Sequence, residues 1–335
     1  MPAINVRSVQ YKLICITETG LQLDLTNAVK DLGWSETEKE LAAKVTFTLL
    51  NVDFRGQKLS KIVKLGCRAI VMADWGAGFQ TICTSIIYEA TEDTSRAAET
   101  YQILAYDVLY ALQKSEEDYY KSKGKGTKAL LNDVLKEWGL TISEYKGPNV
   151  IHDKVMFQGK TIADILLGIL DEARKKKGGK SLLRATGDGK ISVVKWGKND
   201  TIWALTGENS LSSQHKLSAS NLVTKVKIMA NSDQKGAPKV EAVVKGDTSF
   251  GVFQKQVTHN KNDTIGKAKK EAKEMLEDEP EETSKVQSPD VPPLRKGDKV
   301  YLDVGALVGN YIVVSINHDA DAGKMDLQVR KRKDI

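Results

Sequence analysis

The feature that most constrains the fold is an alternation of apolar and polar residues in the first third of the chain. The strand-like stretches are KVTFTLLNVDF (44–54), GCRAIVMAD (66–74) and FQTICTSIIYEA (79–90). In the first of these, apolar side chains recur at Val45, Phe47 and Leu49, every second residue. A period of two places successive side chains on opposite faces of a strand, whereas a helix needs a period near 3.6. Residues 11–113 therefore predict a β-rich domain.

Two stretches of this region break the alternation. Residues 34–43 contain SETEKELAA and predict a turn or short helix, because charged residues replace the apolar ones. TYQILAYDVLYALQK (100–114) starts as a strand and predicts a helical turn over Val108, Leu109 and Leu112.

The middle of the chain changes to helical periodicity. The run TKALLNDVLKEW predicts a helix with Thr127 as its N-cap and Gly139 as its stop, and its apolar face comprises Leu130, Leu131, Val134, Leu135 and Trp138. A second helix begins after Thr161 and ends in a lysine run before Gly178 and Gly179, with Ile162, Ile165, Leu166, Ile169 and Leu170 on one face. GDG (187–189) predicts a tight hairpin turn. Residues 125–205 thus predict a small α/β module.

Strands return in the last third. They are LVTKVKIMA (222–230), PKVEAVVKGD (238–247), SFGVFQKQV (249–257), NYIVVSIN (310–317) and KMDLQVRK (324–331). A helix from Thr264 to Glu279 is expected between them, ended by Pro280, with Ile265, Ala268, Ala272, Met275 and Leu276 on one face. This spacing predicts an amphipathic helix that lies on a sheet.

A lysine- and glycine-rich loop, SKGKGTK (122–128), raises the question of a phosphate-binding loop. That motif requires Gly-x-x-x-x-Gly-Lys-[Ser/Thr], so that backbone N–H groups surround the phosphates. Here Gly126 is followed directly by Thr127, and the preceding sequence is charged rather than a buried strand. A solvated linker at a domain boundary is the better interpretation.

Composition excludes several classes. The chain has 335 residues, 41% hydrophobic, enough to bury a sizeable core, and its N-terminus predicts no signal peptide or membrane span. Cys15, Cys67 and Cys83 form no CxxC pair and suit buried free thiols in a reducing compartment. The net charge of the chain is +6, yet only nine of its 50 basic residues are arginine. The basic clusters lie in a linker (121–128), at a helix end (173–180) and at the C-terminus (329–335). Nucleic-acid recognition is not expected.

No convergent set of catalytic residues is visible. His152, His215, His259 and His318 stand alone in sequence without metal-ligand spacing. HDADAG (318–323) resembles the start of a calcium loop, but Arg330 stands where the final glutamate is needed, so a hairpin turn is favoured.

The acidic and aromatic stretches have structural interpretations. The acidic runs SEEDYY (115–120) and LEDEPEE (276–282) predict polar loop and helix-end sequence rather than an acid/base pair. The tyrosines of DVLYALQKSEEDYY (107–120) fit core and rim packing better than a stacking platform for bases or sugars. The sequence predicts no catalytic, cofactor-binding or metal-binding residue and no cofactor, although a triad assembled from distant residues stays open.

Several stretches in order resemble one family. They are AYDVLYALQKSEEDYYKSKGKGT (105–127), KTIADILLGIL (160–170), RATGDGKISV (184–193), LVTKVKIMA (222–230), SFGVFQKQV (249–257), AKKEAKEML (268–276), LRKGDKVYLDV (294–304) and GNYIVVSINHDADAGKMDLQV (309–329). Together they resemble the XkdQ/YqbQ-type baseplate hub proteins of contractile phage tails and tail-derived particles.

This resemblance implies an α+β, predominantly β fold, in which two tube-type β-barrel domains flank the α/β module. The expected domains are 1–115, 116–205 and 206–335, the last carrying the helix at about 264–279. The implied function is structural and not enzymatic: a homotrimeric hub ring that joins the tail tube protein to the central spike protein and contacts a LysM-bearing baseplate protein. The protein is then expected in the bacterial cytoplasm during assembly and afterwards in the baseplate of a phage, defective prophage or bacteriocin, without membrane insertion.

Two alternatives stay open. The acidic runs allow a tail-associated cell-wall hydrolase, and the helix pair within 127–175 allows a LysM-like glycan-binding module, although the length between those helices is wrong for that compact fold.

Overall fold

The computed structural model describes residues 9–95, 99–230, 238–259 and 264–331, and most of its regular structure is β-strand. The strands of the first third are β1 Gln10–Ile16, β2 Gln22–Asp24, β3 Val29–Glu36, β4 Lys44–Leu50, β5 Asp53–Phe54, β6 Gln57–Lys58, β7 Arg68–Asp74, β8 Gln80–Thr94 and β9 Glu99–Tyr106. Those of the middle are β10 Glu116–Lys121, β11 Lys125–Gly126, β12 Ile142–Tyr145, β13 Ile151–His152, β14 Val155–Thr161, β15 Ser181–Ala185, β16 Ile191–Lys195 and β17 Trp203–Thr206. The remainder are β18 Ser212–Ser218, β19 Lys225–Met229, β20 Val240–Lys245, β21 Gln254–Thr258, β22 Glu281–Pro289, β23 Lys299–Val304, β24 Leu307–Asp319 and β25 Lys324–Lys331. The helices are α1 Leu59–Ile62, α2 Tyr110–Lys114, α3 Thr127–Glu137, α4 Ile162–Ala173 and α5 Ile265–Glu274.

The chain divides into two compact units, residues 1–214 with 285–335, and residues 215–284. The second is called the inserted unit below. Strands β18 and β22 carry the chain from one unit into the other. The prediction of a predominantly β fold is confirmed.

The first unit is built on one large sheet with the strand order β2-β1-β7-β8-β9-β4-β3-β24-β25, extended by β22 and β18. The alternation predicted for β4 is confirmed, since Val45, Phe47 and Leu49 are all buried in one core cluster. Adjacent strands of this part are antiparallel, which allows one face to pack on the core while the other faces solvent.

Two strands that are far apart in sequence, β3 and β24, pair in this sheet. Trp34 lies opposite His318, and Glu36 lies opposite Ile316. The strands approach so closely that a Cβ on Gly33 would lie 2.8 Å from the carbonyl oxygen of His318. The expected turn or short helix at residues 34–43 is therefore wrong at its start, because pairing with a distant strand holds residues 34–36 extended.

The middle module packs α3 and α4 with α2 and the hairpin β15–β16 around a second core cluster. Thr161 caps α4 as predicted, since its Oγ1 accepts a hydrogen bond from the N–H of Asp164 at 3.1 Å. The predicted apolar faces of both helices are buried, except that Trp138 is 37% exposed at the end of α3. Gly139 follows with a φ of +68°, which confirms the predicted stop.

The N-cap of α3 is Gly126, and not Thr127 as predicted. Thr127 is the first helical residue and is fully buried, because its hydroxyl group bonds to the segment around Val150 and His152. The expected linker is confirmed in part, since residues 122–124 are exposed and lie outside any strand, but Lys125 and Gly126 pair with His152 and Ile151.

Four smaller expectations have clear outcomes. SEEDYY is not a loop, because residues 116–121 form β10, paired with β14. The GDG turn joins β15 to β16, and the HDADAG turn joins β24 to β25, as predicted. All three cysteines are buried and free, although Cys67 precedes β7 rather than lying in it.

The inserted unit contains a three-stranded sheet in the order β20-β19-β21, with α5 packed on one face. Thr264 caps α5 through its Oγ1, but the helix ends at Glu274, earlier than predicted. Ala268 and Ala272 are buried against the sheet, whereas Ile265 and Met275 are exposed. The amphipathic helix is confirmed with a narrower apolar face than expected.

No helix among the described residues is long and apolar enough to cross a membrane. The end of the third basic cluster, residues 332–335, lies outside the described residues.

Candidate functional site: a buried charged cluster

A cluster of six charged side chains, here called the charged cluster, lies where three separate parts of the first unit meet. Its members are Glu36, Asp107, Arg184, Arg295, Lys296 and Asp298. Four of them, Glu36, Asp107, Lys296 and Asp298, are at most 7% exposed. Charged residues are seldom buried unless they are paired, so each of these side chains needs a partner of opposite charge or a hydrogen bond.

Glu36 is the central anion. Arg295 donates from Nε to Glu36 Oε1 at 2.7 Å and also from Nη2 to the same oxygen. The backbone N–H of Lys296 donates to Glu36 Oε2 at 2.8 Å. Both carboxylate oxygens are thus satisfied, one of them by a guanidinium fork.

Local structure brings these groups together. Glu36 is the last residue of β3, and Arg295 and Lys296 lie in the turn before β23. Gly297 completes that turn with a φ of +89°, a conformation that favours glycine. Lys296 Nζ then donates to the carbonyl oxygens of Thr37 and Glu40, at 2.7 and 2.6 Å, and so fixes the chain after β3.

The middle module joins the same cluster through β15. Arg184 forms an ion pair with Asp298, with Nη2 2.9 Å from Oδ1. Arg295 donates from Nη1 to the carbonyl oxygen of Ala185 at 2.6 Å. Asp298 also accepts a hydrogen bond from the backbone N–H of Arg295 at 3.0 Å.

Asp107 completes the cluster from the end of β9. Its oxygens accept hydrogen bonds from the N–H groups of Ala43 and Leu109, at 3.0 and 2.9 Å. Asp107 therefore orders both the entry to β4 and the start of the helical turn α2.

The environment moves the pKa values of these groups in opposite directions. Burial by itself would raise the pKa of Glu36, but Arg295 and Lys296 outweigh it and lower the pKa to about 2. Burial raises the pKa of Asp107 to about 6, against the effect of its two backbone donors. Burial also raises the pKa of Asp298 and lowers that of Lys296. Glu36 is therefore ionised at neutral pH.

A cleft of about 400 Å³ opens beside the charged cluster. It is lined by the β7–β8 turn, the middle module and the residues before β23, and its lining includes Trp75, Glu144, Lys146, Asp200, Arg184 and Arg295. Lys146 forms ion pairs with Glu144 and Asp200, at 3.0 and 3.1 Å, on the exposed rim. These two carboxylates are neutralised by one cation in solvent, which does not favour a general acid.

A second buried polar group surrounds His318. Its Nδ1 lies 2.5 Å from Asp290 Oδ1, and its Nε2 lies 3.1 Å from the carbonyl oxygen of Leu294. Each ring nitrogen therefore faces an oxygen atom that can accept a hydrogen bond. The ring stacks on Trp34, with centroids 4.4 Å apart, and Tyr11 donates to Asp290 Oδ2 at 2.5 Å. Burial and Asp290 raise the pKa of Tyr11.

His152 occupies an arrangement that superficially resembles a catalytic triad. Its ring nitrogens lie 2.9 Å from Thr127 Oγ1 and 3.1 Å from Glu172 Oε2. However, Thr127 and His152 are 0% and 1% exposed, and the Thr127 hydroxyl group is also held by the backbone of Val150. A substrate cannot reach such a hydroxyl group, so the arrangement serves packing of the middle module.

The remaining sequence candidates stay apart. His215 and His259 lie near Glu282 and Glu241 in the inserted unit. Asp319 accepts a hydrogen bond from the N–H of Ala322 within the hairpin turn. Among the described residues, no group of three or more His, Cys, Asp or Glu side chains could hold a metal ion.

Sequence reasoning did not find the charged cluster. Its one local signal is Arg295, an arginine beside a glycine turn in a chain whose basic residues are mostly lysine. Arginine is preferred in buried pairs because its planar fork matches a carboxylate.

A family model described as YQBQ-like matches residues 32–330 of this chain. Among curated proteins, the Bacillus subtilis (strain 168) protein named uncharacterized protein YqbQ is 22% identical over 205 residues. That match covers 60% of this chain and 62% of the relative, less than two thirds of the relative's length.

Two solved structures share the fold over nearly the whole chain. One is a tail protein from Neisseria meningitidis MC58, with 14% identity, a TM-score of 0.67, and 96% of this chain and 97% of that chain covered. The other is the 43 kDa tail protein of prophage MuSo2 from Shewanella oneidensis, with 15% identity, a TM-score of 0.66, and 96% and 99% covered. At these identities the likeness concerns the fold.

Proposed function

Because the chain belongs to the YQBQ-like family, we propose that it is a structural protein of a phage-type tail baseplate, and specifically the hub that joins the tail tube to the central spike. The tail proteins that share its fold over 96% of the chain support a role in a tail. The family resemblance noted in the sequence supports the narrower assignment to the hub.

The observation that carries this proposal is the charged cluster. It ties Glu36, Arg184 and Arg295, which belong to three distant parts of the sequence, into one set of short hydrogen bonds. Removing one member leaves a buried charge without its partner, which is strongly unfavourable, so these parts separate only at high cost. A part that transmits force between a tube and a spike needs such resistance to separation, and in this respect the charged cluster supports the proposal.

The proposal includes the assembly. A sixfold tube and a threefold spike are matched by three copies of a chain with two related barrels, and closed cyclic symmetry is the common solution for identical subunits. We therefore place the chain in a homotrimer that contacts the tube protein, the spike protein and a LysM-bearing baseplate protein, with domains at 1–115, 116–205 and 206–335. The barrel wall then contains LRKGDKVYLDV, and the middle module lies outward. LVTKVKIMA, which was also expected in that wall, forms β19 in the separate sheet of the inserted unit.

Averaged electron microscopy of the intact particle tests this function. Three copies of the chain between tube and spike, with the middle module outside the channel, are expected. Six copies, a single axial copy, or a middle module that lines the channel would contradict the proposal.

The alternative function is cell-wall hydrolysis, and one observation bears on it. The cleft places Trp75, Glu144 and Asp200 in one concave surface, as a glycan site would require. Purified chain should nevertheless leave peptidoglycan intact. Turnover that is abolished by Glu144→Gln or Asp200→Asn would establish the hydrolase and place its site in the cleft.

A further inference from the structure

The inserted unit exposes a concentration of large apolar side chains in one turn. Phe250, Val252 and Phe253 lie between β20 and β21 and are 54%, 64% and 39% exposed. They include two of the six phenylalanines of the chain. We call these three residues the knob. Exposed aromatic residues close together are typical of interaction sites.

The knob is held in a fixed shape by Thr224. The hydroxyl group of Thr224 donates to the carbonyl oxygen of Gly251 at 3.0 Å and accepts from the N–H of Phe253 at 2.9 Å. The N–H of Thr224 also donates to the carbonyl oxygen of Phe253 at 3.0 Å. A preorganised anchor loses less conformational entropy on binding than a mobile one.

Three lysines flank the knob, and Asp247 in the same turn accepts hydrogen bonds from Ser249. Lys225 and Lys245 are direct cross-strand partners on the sheet face that α5 does not cover, and Lys227 lies on the same face. Like charges directly opposite each other destabilise a sheet. Among the described residues, no carboxylate forms an ion pair with these three lysines. The surface that covers the knob should therefore be acidic.

The same unit carries a surface of that kind. A groove of about 500 Å³ is lined by Ser218, Asn221, Leu222, Leu276, Glu277, Asp278 and Glu279. Leu222 and Leu276 provide an apolar floor, and three carboxylates provide an acidic rim. The knob of the same copy is exposed to solvent and does not fill this groove.

We propose that the knob of one copy of this chain seats in the groove of a second copy, with the lysines of the first against the carboxylates of the second. Knob and groove are different surfaces, so the contact is heterologous and can propagate around a ring. The inference rests on the proposed function only in that a hub ring supplies neighbouring copies.

Sedimentation of the full chain over a range of concentrations tests this contact. Wild-type chain should self-associate reversibly, and high salt should weaken the association because the flanking charges are screened. Phe250→Asp should weaken it at least tenfold, whereas Leu65→Asp, at a residue 55% exposed in the first unit, should not. Both positions are exposed, and unchanged unfolding curves check that both variants fold.

Charge reversal identifies the partner surface. Lys245→Glu and Glu279→Lys should each weaken association, and the double variant should restore it, because every contact regains opposite charges. A wild-type chain that stays monomeric at all concentrations, or a double variant no better than the singles, overturns the proposal. A particle map with three copies whose knobs touch no neighbour would overturn it while leaving the hub function standing.

Discussion

Replacing Glu36 with glutamine should destabilise the first unit by about 3 kcal/mol at neutral pH. Glu36 has a pKa of about 2 in the folded chain against an ordinary value of 4.5. Each pKa unit corresponds to about 1.4 kcal/mol, so the difference is worth about 3 kcal/mol. This figure agrees with the roughly 3–5 kcal/mol expected when a buried ion pair loses one partner.

The matched control is Glu38→Gln. Glu38 lies two residues further along and also pairs with an arginine, Arg330, with both oxygens 3.1 Å from the guanidinium nitrogens. That pair is on the surface, with side chains 37% and 25% exposed. Surface pairs contribute about 0–1 kcal/mol, so Glu38→Gln should cost less than about 1 kcal/mol.

Tryptophan fluorescence during urea unfolding is the suitable assay. All five tryptophans lie between Trp34 and Trp203, so their emission follows the first unit and not the inserted unit. The double variant Glu36→Gln with Arg295→Met should be less destabilised than Glu36→Gln alone, because it also removes the unpaired cation.

The pH dependence gives an independent measurement. The pKa of Glu36 is lowered by folding, so its contribution is present above pH 4.5 and is lost as pH falls towards 2. The stability difference between wild type and Glu36→Gln should shrink over that window. A Glu36→Gln variant that costs no more than Glu38→Gln at neutral pH would contradict the role of this cluster in joining the three parts.

Three further outcomes are expected. Gly187→Ala should cost about 1–3 kcal/mol, because its Cβ would overlap the carbonyl oxygen of Thr81 in β8. Gly207→Ala, with no atom within 4 Å of its Cβ, should be nearly neutral in the same urea assay. Leu276→Asp should cost about 2–4 kcal/mol, because it buries a charge against the helix α5 and its sheet. Met275→Asp should cost less than about 1 kcal/mol, because that side chain is exposed. Circular dichroism of thermal unfolding measures both changes, and equal losses would show that the apolar face of α5 is wider than described. Folding raises the pKa of Asp107 to about 6, so its contribution to stability should fall as pH rises from about 4 to 6, and Asp107→Asn should abolish this slope; an unchanged slope would locate the titrating group elsewhere.

Local patterns predicted the elements whose packing is decided within a few residues. The alternation of Val45, Phe47 and Leu49 and the cap at Thr161 concern neighbours along the chain, and both are confirmed. Prediction failed where a distant segment overrides local preference. Trp34 was expected in a turn, but pairing with β24 holds it in a strand.

The polar sites were harder to predict for the same reason. Glu36 and Arg295 are 259 residues apart, so the sequence around each residue gives no sign of the other. Thr127 has the residue type of an N-cap, but His152, 25 residues away, takes its hydroxyl group. The tertiary fold decides which partner a buried polar residue has, and the local sequence does not reveal that partner.

The separation of Glu36 from Arg295 also sets an order of events during synthesis. At roughly 5–20 residues per second, about 10–50 s pass between the emergence of the two residues from the ribosome. Throughout that interval the β3 edge of the nascent sheet lacks its partner β24 and is open to pairing with other chains. An ionised Glu36 at the end of this edge strand opposes such pairing while it is still hydrated. Until β24 is made, the carboxylate that later joins the charged cluster is thus a charge at the end of an open sheet edge, where charged side chains oppose pairing with other chains.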